Sequence, residues 1–457
     1  MDNNVSVEEA LNNQPLSLFH LRAVLISGMG FFTDSYDLFI IGVALILIKG
    51  EWHPSATMIG LVGSTSLIAA FMGAFVFGRL ADVLGRKKIY GLEAAIMVVG
   101  AVASAFSSNI LWLLIFRFIL GFGIGGDYPM SAVLMSEYAN AKDRGKLVGM
   151  VFSMQALGML AGPVVALTLL ASGISGDIAW RIMLGVGALP AAAVVYLRRT
   201  MPESPRYLAR AKGETQEAAQ GLASFTGMKT ETTTGKPRKA VQARLSQYAL
   251  TLLGTAGAWF AFDYAYYGNS ISTPLILQSV SPHASVIATI AWELIIFAIA
   301  AVPGYILAFL TIDAIGHRRL QIIGFALMGL MFLLIGVVPG ITHEIVPFLI
   351  IYGLSYFFAE FGPNTTTFIL AGEVFPVNIR TTGHGFSAGT AKVGAFIGVF
   401  LFPIIEASIG LSGTMILAAG FALAGLLVTL VLPEPSGRSL EDVSREVDAV
   451  EPVQRHA

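Results

Sequence analysis

The chain has 457 residues, of which 55% are hydrophobic and 12% charged, with a mean hydropathy of +0.73. So few charges cannot cover soluble domains of this length, which places the chain in a bilayer. The net charge of −1 is uninformative by itself, whereas the absence of Cys excludes a disulfide scaffold, a thiolate metal site and a Cys nucleophile.

Residues 1–22 are polar and acidic, contain no cleavable signal, and read as a cytosolic N-terminus. A spanning helix needs roughly 20 mostly apolar residues. Six such runs follow, at 23–48, 56–78, 89–107, 110–138, 147–170 and 178–197. Residues 198–247 form the only long polar connection, which reads as a flexible cytosolic linker. Six more runs lie at 248–277, 286–310, 320–338, 345–372, 385–405 and 411–432, before a cytosolic tail over 433–457. The runs are continuous and rich in Gly, Ala and Leu, which excludes a barrel of alternating strands. The expected fold is an all-α membrane protein with twelve transmembrane helices in two six-helix bundles, 23–197 and 248–432. Of the 28 Lys and Arg residues, all but Arg22, Lys49, Arg117, Arg181 and Lys392 fall in alternate loops or the tail. By the positive-inside rule those loops are cytoplasmic, with both termini, in a plasma or inner membrane.

The loops also repeat. Asp82-x-x-Gly85-Arg86-Lys87-Lys88 recurs as Asp313-x-x-Gly316-His317-Arg318-Arg319, Glu137 and Arg144 recur as Glu373 and Arg380, and Pro202-Glu203-Ser204-Pro205 is echoed by Pro433-Glu434-Pro435. Any one of these alone reads as an ordinary charged turn. Three at nearly one offset indicate parallel six-helix halves, a transporter plan in which substrate binds between the repeats. The run Gly78-Arg79-Leu80-Ala81-Asp82 through Lys88 resembles the loop signature of the major facilitator superfamily. The resemblance implies the major facilitator fold, and a cytoplasmic gate made by Asp82, Arg86, Glu137, Arg144, Asp313, Glu373 and Arg380.

Ionisable side chains at mid-bilayer cost about 2.5–3.5 kcal/mol on insertion scales and by default face a pathway. Seven qualify: Asp34, Asp37, Arg117, Asp127, Asp263, Glu360 and Lys392. Asp34 and Asp37 share a helix face opposite Arg117, and a purely structural ion pair is one reading. Five acids against two bases cannot all be paired, so some carry a proton part of the time, as proton coupling requires. Trp259, Asp263 and Tyr267 form one stripe at i, i+4 and i+8, and an acid there needs a polar ligand. Gln155 and Asn364 add neutral hydrogen-bonding groups, and Pro363 should loosen the helix and free carbonyls beside Asn364. The fingerprint-like Gly121-x-Gly123-x-x-Gly126 lies inside a span with no preceding strand, so it reads as helix packing, and the scattered His residues suggest no metal.

These residues point to a proton-linked carrier of a small polar solute, with no cofactor and no nucleic-acid partner. No nucleophile and base pair up, so an enzyme is not expected. Lys392 and the aromatic donors suit an anion that Asp127 and Asp263 would repel. Dihydrogen phosphate eases that conflict, because its P–OH groups donate to a carboxylate, and sulfate lacks such a proton.

Gly125-Gly126-Asp127-Tyr128-Pro129-Met130-Ser131-Ala132, Phe31-Phe32-Thr33-Asp34-Ser35-Tyr36-Asp37 and Phe361-Gly362-Pro363-Asn364-Thr365-Thr366-Thr367-Phe368 resemble the phosphate:proton symporter family of the superfamily. That resemblance implies inward symport by a rocking of the two halves. It implies that phosphate is held by Tyr128, Gln155, Trp259, Asp263, Tyr267 and Asn364 with Lys392 beside Asp263. Asp34 and Asp127 would carry the proton, supported by Arg117 and Asp37. Two positions depart from the family: Glu360 stands where a neutral amide is expected, and His317 replaces an Arg. A carrier of an organic anion or sugar, and a phosphate-binding nutrient sensor, remain alternative readings.

Overall fold

The computed structural model describes residues 7–226 and 242–446; parts of the expected N-terminus, linker and tail (1–6, 227–241 and 447–457) lie outside the described residues. Ten helices among the described residues are long and apolar enough to cross a membrane. The spans are α1 Leu18–Trp52, α2 Ala56–Leu84, α3 Arg86–Ala105, α4 Ile110–Tyr138, α5 Arg144–Ala171 and α6 Gly176–Arg198. After the linker come α7 Ala249–Ile271, α8 Val286–Ile315, α9 His317–Val337 and α10 Ile345–Glu373. α7 falls short of the apolar criterion because Asp263, four Tyr or Trp side chains and Asn269 dilute it.

The last of the ten, Arg380–Thr429, has 50 residues and would run about 75 Å, far beyond a bilayer. It is two helices. Gly410 breaks it at φ 72° and ψ 172°, a backbone conformation that L side chains resist. The chain reverses there: Gly394 and Gly398 pack on Phe260 and Tyr264 in parallel order, whereas Val428 and Phe421 meet Gly257 and Tyr264 in antiparallel order. Residues 380–409 are therefore α11 and 411–429 are α12, which completes twelve.

Short residues let the halves touch along two seams. α2 packs antiparallel on α11, with Gly78 against Thr381 and Gly389 against Phe71; α5 packs on α8, with Gly145 against Asp313 and Gly149 against Phe309. The two seams are related by the sequence repeat. Gly121, Gly123, Gly125 and Gly126 each sit against a backbone or side chain of α2 or α3, the close approach that small residues permit in membranes.

The expected kink in α10 is present. Glu360–Asn364 is a π-helical turn with Gly362 at φ −113° and ψ −106°. The loosened carbonyls are taken up by the threonine run that follows: Thr365 donates to Glu360 O at 2.7 Å, Thr366 to Gly362 O at 3.0 Å and Thr367 to Pro363 O at 2.7 Å.

Candidate functional site

The kink aims Asn364 at a buried polar network between the halves. Asn364 Nδ2 donates to the hydroxyl of Tyr305 at 2.9 Å, Tyr305 donates to Gln155 Oε1 at 3.0 Å, and Gln155 Nε2 donates to Tyr128 at 3.2 Å. Tyr128 and Tyr267 share a hydrogen bond at 3.3 Å. The ammonium of Lys392 lies over both rings, 4.5 and 4.3 Å from their centroids, and donates to Asp263 Oδ2 at 2.9 Å. Trp259 packs beside Tyr128 with ring centroids 6.0 Å apart. All these side chains are buried. The seven residues expected to hold substrate thus come together at one place, drawn from α4, α5, α7, α10 and α11. Tyr305 of α8, which links Gln155 to Asn364, is a member that sequence reasoning missed, since one Tyr in an apolar span looks like core.

Glu360 adjoins this network. Its carboxylate accepts from Tyr266 at 2.5 Å and from Asn364 at 2.5 Å. The amide expected at this position has become an acid that orients Asn364.

The other acids lie on the α1 side. Asp127 accepts from Ser131 and from Arg198 at 2.5 Å each, and Arg198 also donates to Glu93 at 2.6 Å. Arg198 and Glu93 are fully buried. This corrects the sequence reading, which counted Arg198 as the first residue of the cytosolic linker and passed over Glu93. The guanidinium folds back from the end of α6, and an Arg at a helix end gives no sign of that by itself. Asp34 is buried and, among the described residues, neither carboxylate oxygen has a hydrogen-bond partner; it lies within electrostatic reach of Asp127, Arg198 and Lys392. Arg117 donates to the backbone carbonyl of Asp37 at 3.1 Å, and not to its carboxylate.

At one end of the bundle the repeated loop residues form a clasp across the halves. Arg144 donates to Glu373 at 2.8 Å, and Arg380 to Glu137 at 3.3 Å, so each half gives one Arg to the other's Glu. Asp82 accepts from Thr382 N at 2.6 Å at the start of α11; Asp313 accepts from Gly145 N at 3.0 Å and Lys146 N at 2.7 Å at the start of α5. Each Asp thereby faces the positive end of the opposite half's helix. Arg86 bridges Asp82 and Glu137 at 3.2 and 3.1 Å, and His317 bridges Asp313 and Glu373 at 3.1 and 2.9 Å. Imidazolium can donate from both nitrogens, so His317 replaces Arg in kind. Glu203 accepts from Lys87 N at 3.2 Å and Glu434 from His317 N at 2.8 Å, which gives the third repeated motif the same capping task in both halves. Helix Leu440–Ser444 and Glu446 seat beneath the clasp, where Arg206 donates to Glu441 at 2.5 Å and Arg380 to Glu446 at 3.1 Å.

Residues 23–447 match the model of the sugar (and other) transporter family. The chain belongs to that family. It is a multi-pass membrane transporter and not an enzyme. Among its relatives are a probable inorganic phosphate transporter 1-6 of Arabidopsis thaliana, 36% identical over 97% of each chain. A low affinity inorganic phosphate transporter 1 of Petunia hybrida is 35% identical, covering 98% of this chain and 96% of the relative. In fold it matches the major facilitator superfamily proton:xylose symporter XylE bound to 6-bromo-6-deoxy-D-glucose, with a TM-score of 0.79 at 20% identity, covering 94% of this chain and 99% of the other. The inward-open form of XylE from E. coli matches with a TM-score of 0.69 at 21% identity, covering 93% and 99%.

Proposed function

We propose that the protein is a proton-coupled importer of inorganic phosphate that works by alternating rocking of residues 23–197 against 248–432. The observation that carries this reading is the junction of Lys392, Asp263, Tyr128, Tyr267, Gln155 and Asn364 in one buried network spanning both halves, in a chain whose relatives are phosphate transporters over nearly their full length. Phosphate needs several donors for its oxygens and, as a monoanion or dianion, a cation; Lys392, the tyrosine hydroxyls and the amides of Gln155 and Asn364 supply both. A P–OH group or a protonated Asp263 settles the contact between two acids. Loss of that proton toward the clasp side weakens the site and releases phosphate, after which Lys392 pairs with Asp263 and the carrier resets. Asp34 and Asp127, with Arg117 and Asp37 as supports and Glu360 in the second half, hold and move protons.

In this reading the clasp is the cytoplasmic gate, and both termini with residues 198–247 and 433–457 face the cytosol of a plasma or inner membrane. Labelled phosphate uptake by proteoliposomes under imposed pH and voltage gradients tests the whole reading. Uptake should require an inward proton gradient and yield to arsenate far more than to sulfate, and Asp263→Asn should abolish net uptake. Proton-independent uptake, or wild-type activity in that variant, refutes it.

A further inference from the structure

One buried acid has no place in this scheme. Glu293 of α8 is 1% exposed, and its Oε2 has no hydrogen-bond partner among the described residues, nor does Glu293 enter an ion pair there. It lies seven residues from the start of α8, about 10 Å along the helix from the end opposite the clasp. An unpaired carboxylate costs several kcal/mol in such surroundings, so packing alone gives no reason for it.

The helix segment that carries Glu293 packs against α10, which bears a line of hydroxyls. On α10, Tyr352, Tyr356, Glu360 and Asn364 recur every fourth residue, a stripe descending from the level of Glu293 to the substrate network. Tyr352 and Tyr356 lie within electrostatic reach of Glu293, and the Glu406 carboxylate of α11 is the further charge within reach of Tyr352. From the segment after α7, the Thr273 hydroxyl sits 2.9 Å from that of Tyr352 and 2.8 Å from that of Tyr356. Tyr356 and Tyr266 have ring centroids 5.7 Å apart and line a cavity with Asn269, Tyr352 and Ser355 that has room for about one water. Tyr266 then donates to Glu360 at 2.5 Å, and Glu360 adjoins Asn364. Among the described residues the line has two gaps, at Glu293 to Tyr352 and at Tyr356 to Tyr266, and the second borders that cavity, which is just large enough for one water.

We propose that this stripe is a second proton route, in which Glu293 takes a proton from the side opposite the clasp and the hydroxyls of Tyr352, Thr273, Tyr356 and Tyr266 hand it to Glu360. Each hydroxyl accepts one proton and gives up its own, so no hydroxyl changes charge, and each O–H turns back to restore the line before the next transfer. Glu293 regains its negative charge and Glu360 loses one, and the proton leaves from Glu360 when the clasp opens. The inference rests on the phosphate reading and adds to it: each phosphate travels with one proton more than the α1 and α7 acids alone would carry.

The test is the proton:phosphate ratio of purified full-length protein in proteoliposomes, read from the pH gradient that just stops flux against an imposed phosphate gradient. Glu293→Gln is expected to lower the ratio by about one while phosphate–phosphate exchange stays at the wild-type rate. Tyr356→Phe, which keeps the ring, is expected to slow proton-driven uptake by about tenfold or more with exchange intact. Glu293→Gln combined with Glu360→Gln should lower the ratio no further than Glu293→Gln does. A wild-type ratio in Glu293→Gln, or loss of exchange along with uptake in both single variants, overturns the route. If Glu293→Gln fails to fold, wild-type uptake kinetics in Tyr356→Phe does so. Wild-type protein that moves no phosphate at all overturns the phosphate reading instead.

Discussion

Removing the Arg144 guanidinium should open the clasp. Arg144 Nε donates to Glu373 at 2.8 Å, and its Nη2 donates to the carbonyls of Pro435 and Arg438 at 3.4 and 2.9 Å. The Glu373 bond joins the two halves, so it exists only while the clasp is shut. A hydrogen bond to a charged group contributes about 1.5–3 kcal/mol and a neutral one about 1 kcal/mol. Arg144→Gln leaves Glu373 to His317, which sits 2.9 Å away, and removes the crossing bond. The closed state should lose about 3 kcal/mol relative to the open one, a shift in their ratio of about a hundredfold. The chain has no Cys, so spin labels can be placed without removing native thiols. Labels at Arg79→Cys and Arg319→Cys, exposed sites on opposite halves at the clasp end, report their separation by pulsed electron resonance. The Arg144→Gln background should add a long-distance population that the parent lacks. An unchanged distance distribution in folded protein would refute the assignment of the clasp as a state-dependent gate.

Two further outcomes follow from the buried and docked charges. Arg198→Gln leaves both Glu93 and Asp127 without their cation and should cost about 3–5 kcal/mol, seen as a large fall in Tm in detergent; adding Glu93→Gln should recover part of that loss, and strict additivity would contradict the bridge. For Glu441, burial pushes the carboxyl up, but Arg206, its own backbone N–H and Arg380 outweigh that and hold it at about 2, against 4.5 for a free Glu. Its folded pKa is depressed, so its contribution is complete above about pH 4.5 and is lost as pH falls toward 2. Protease access to the tail should therefore rise over that window, and Glu441→Gln should show raised access at neutral pH with a flatter acid response.

The spans, the repeat and most of the site were legible in the sequence because each rests on a constraint that acts locally. A bilayer-spanning backbone must be apolar and helical for its whole length, and a charge inside it must have a use, so Asp34, Asp127, Asp263, Glu360 and Lys392 stood out one by one. The Pro363 kink was readable for the same reason, as a local loss of a donor. Where a span ends is less legible, and Arg198 shows the cost: beside Arg199 and Thr200 it looks like a loop residue, and only the packing of α6 on α1 and α3 turns it inward to Glu93 and Asp127.

What the tertiary structure decided was which groups meet. Arg117 stands opposite two aspartates in the sequence reading, yet it takes a backbone carbonyl. Tyr305, Tyr266 and Tyr356 are ordinary aromatic residues of apolar spans until helix packing sets their hydroxyls against Gln155, Glu360 and Thr273. The repeat announced that Asp82 and Asp313 are counterparts, but not that each caps a helix of the opposite half. Partner choice depends on helix rotation and on seams between distant segments, and hydropathy along one chain carries no record of either.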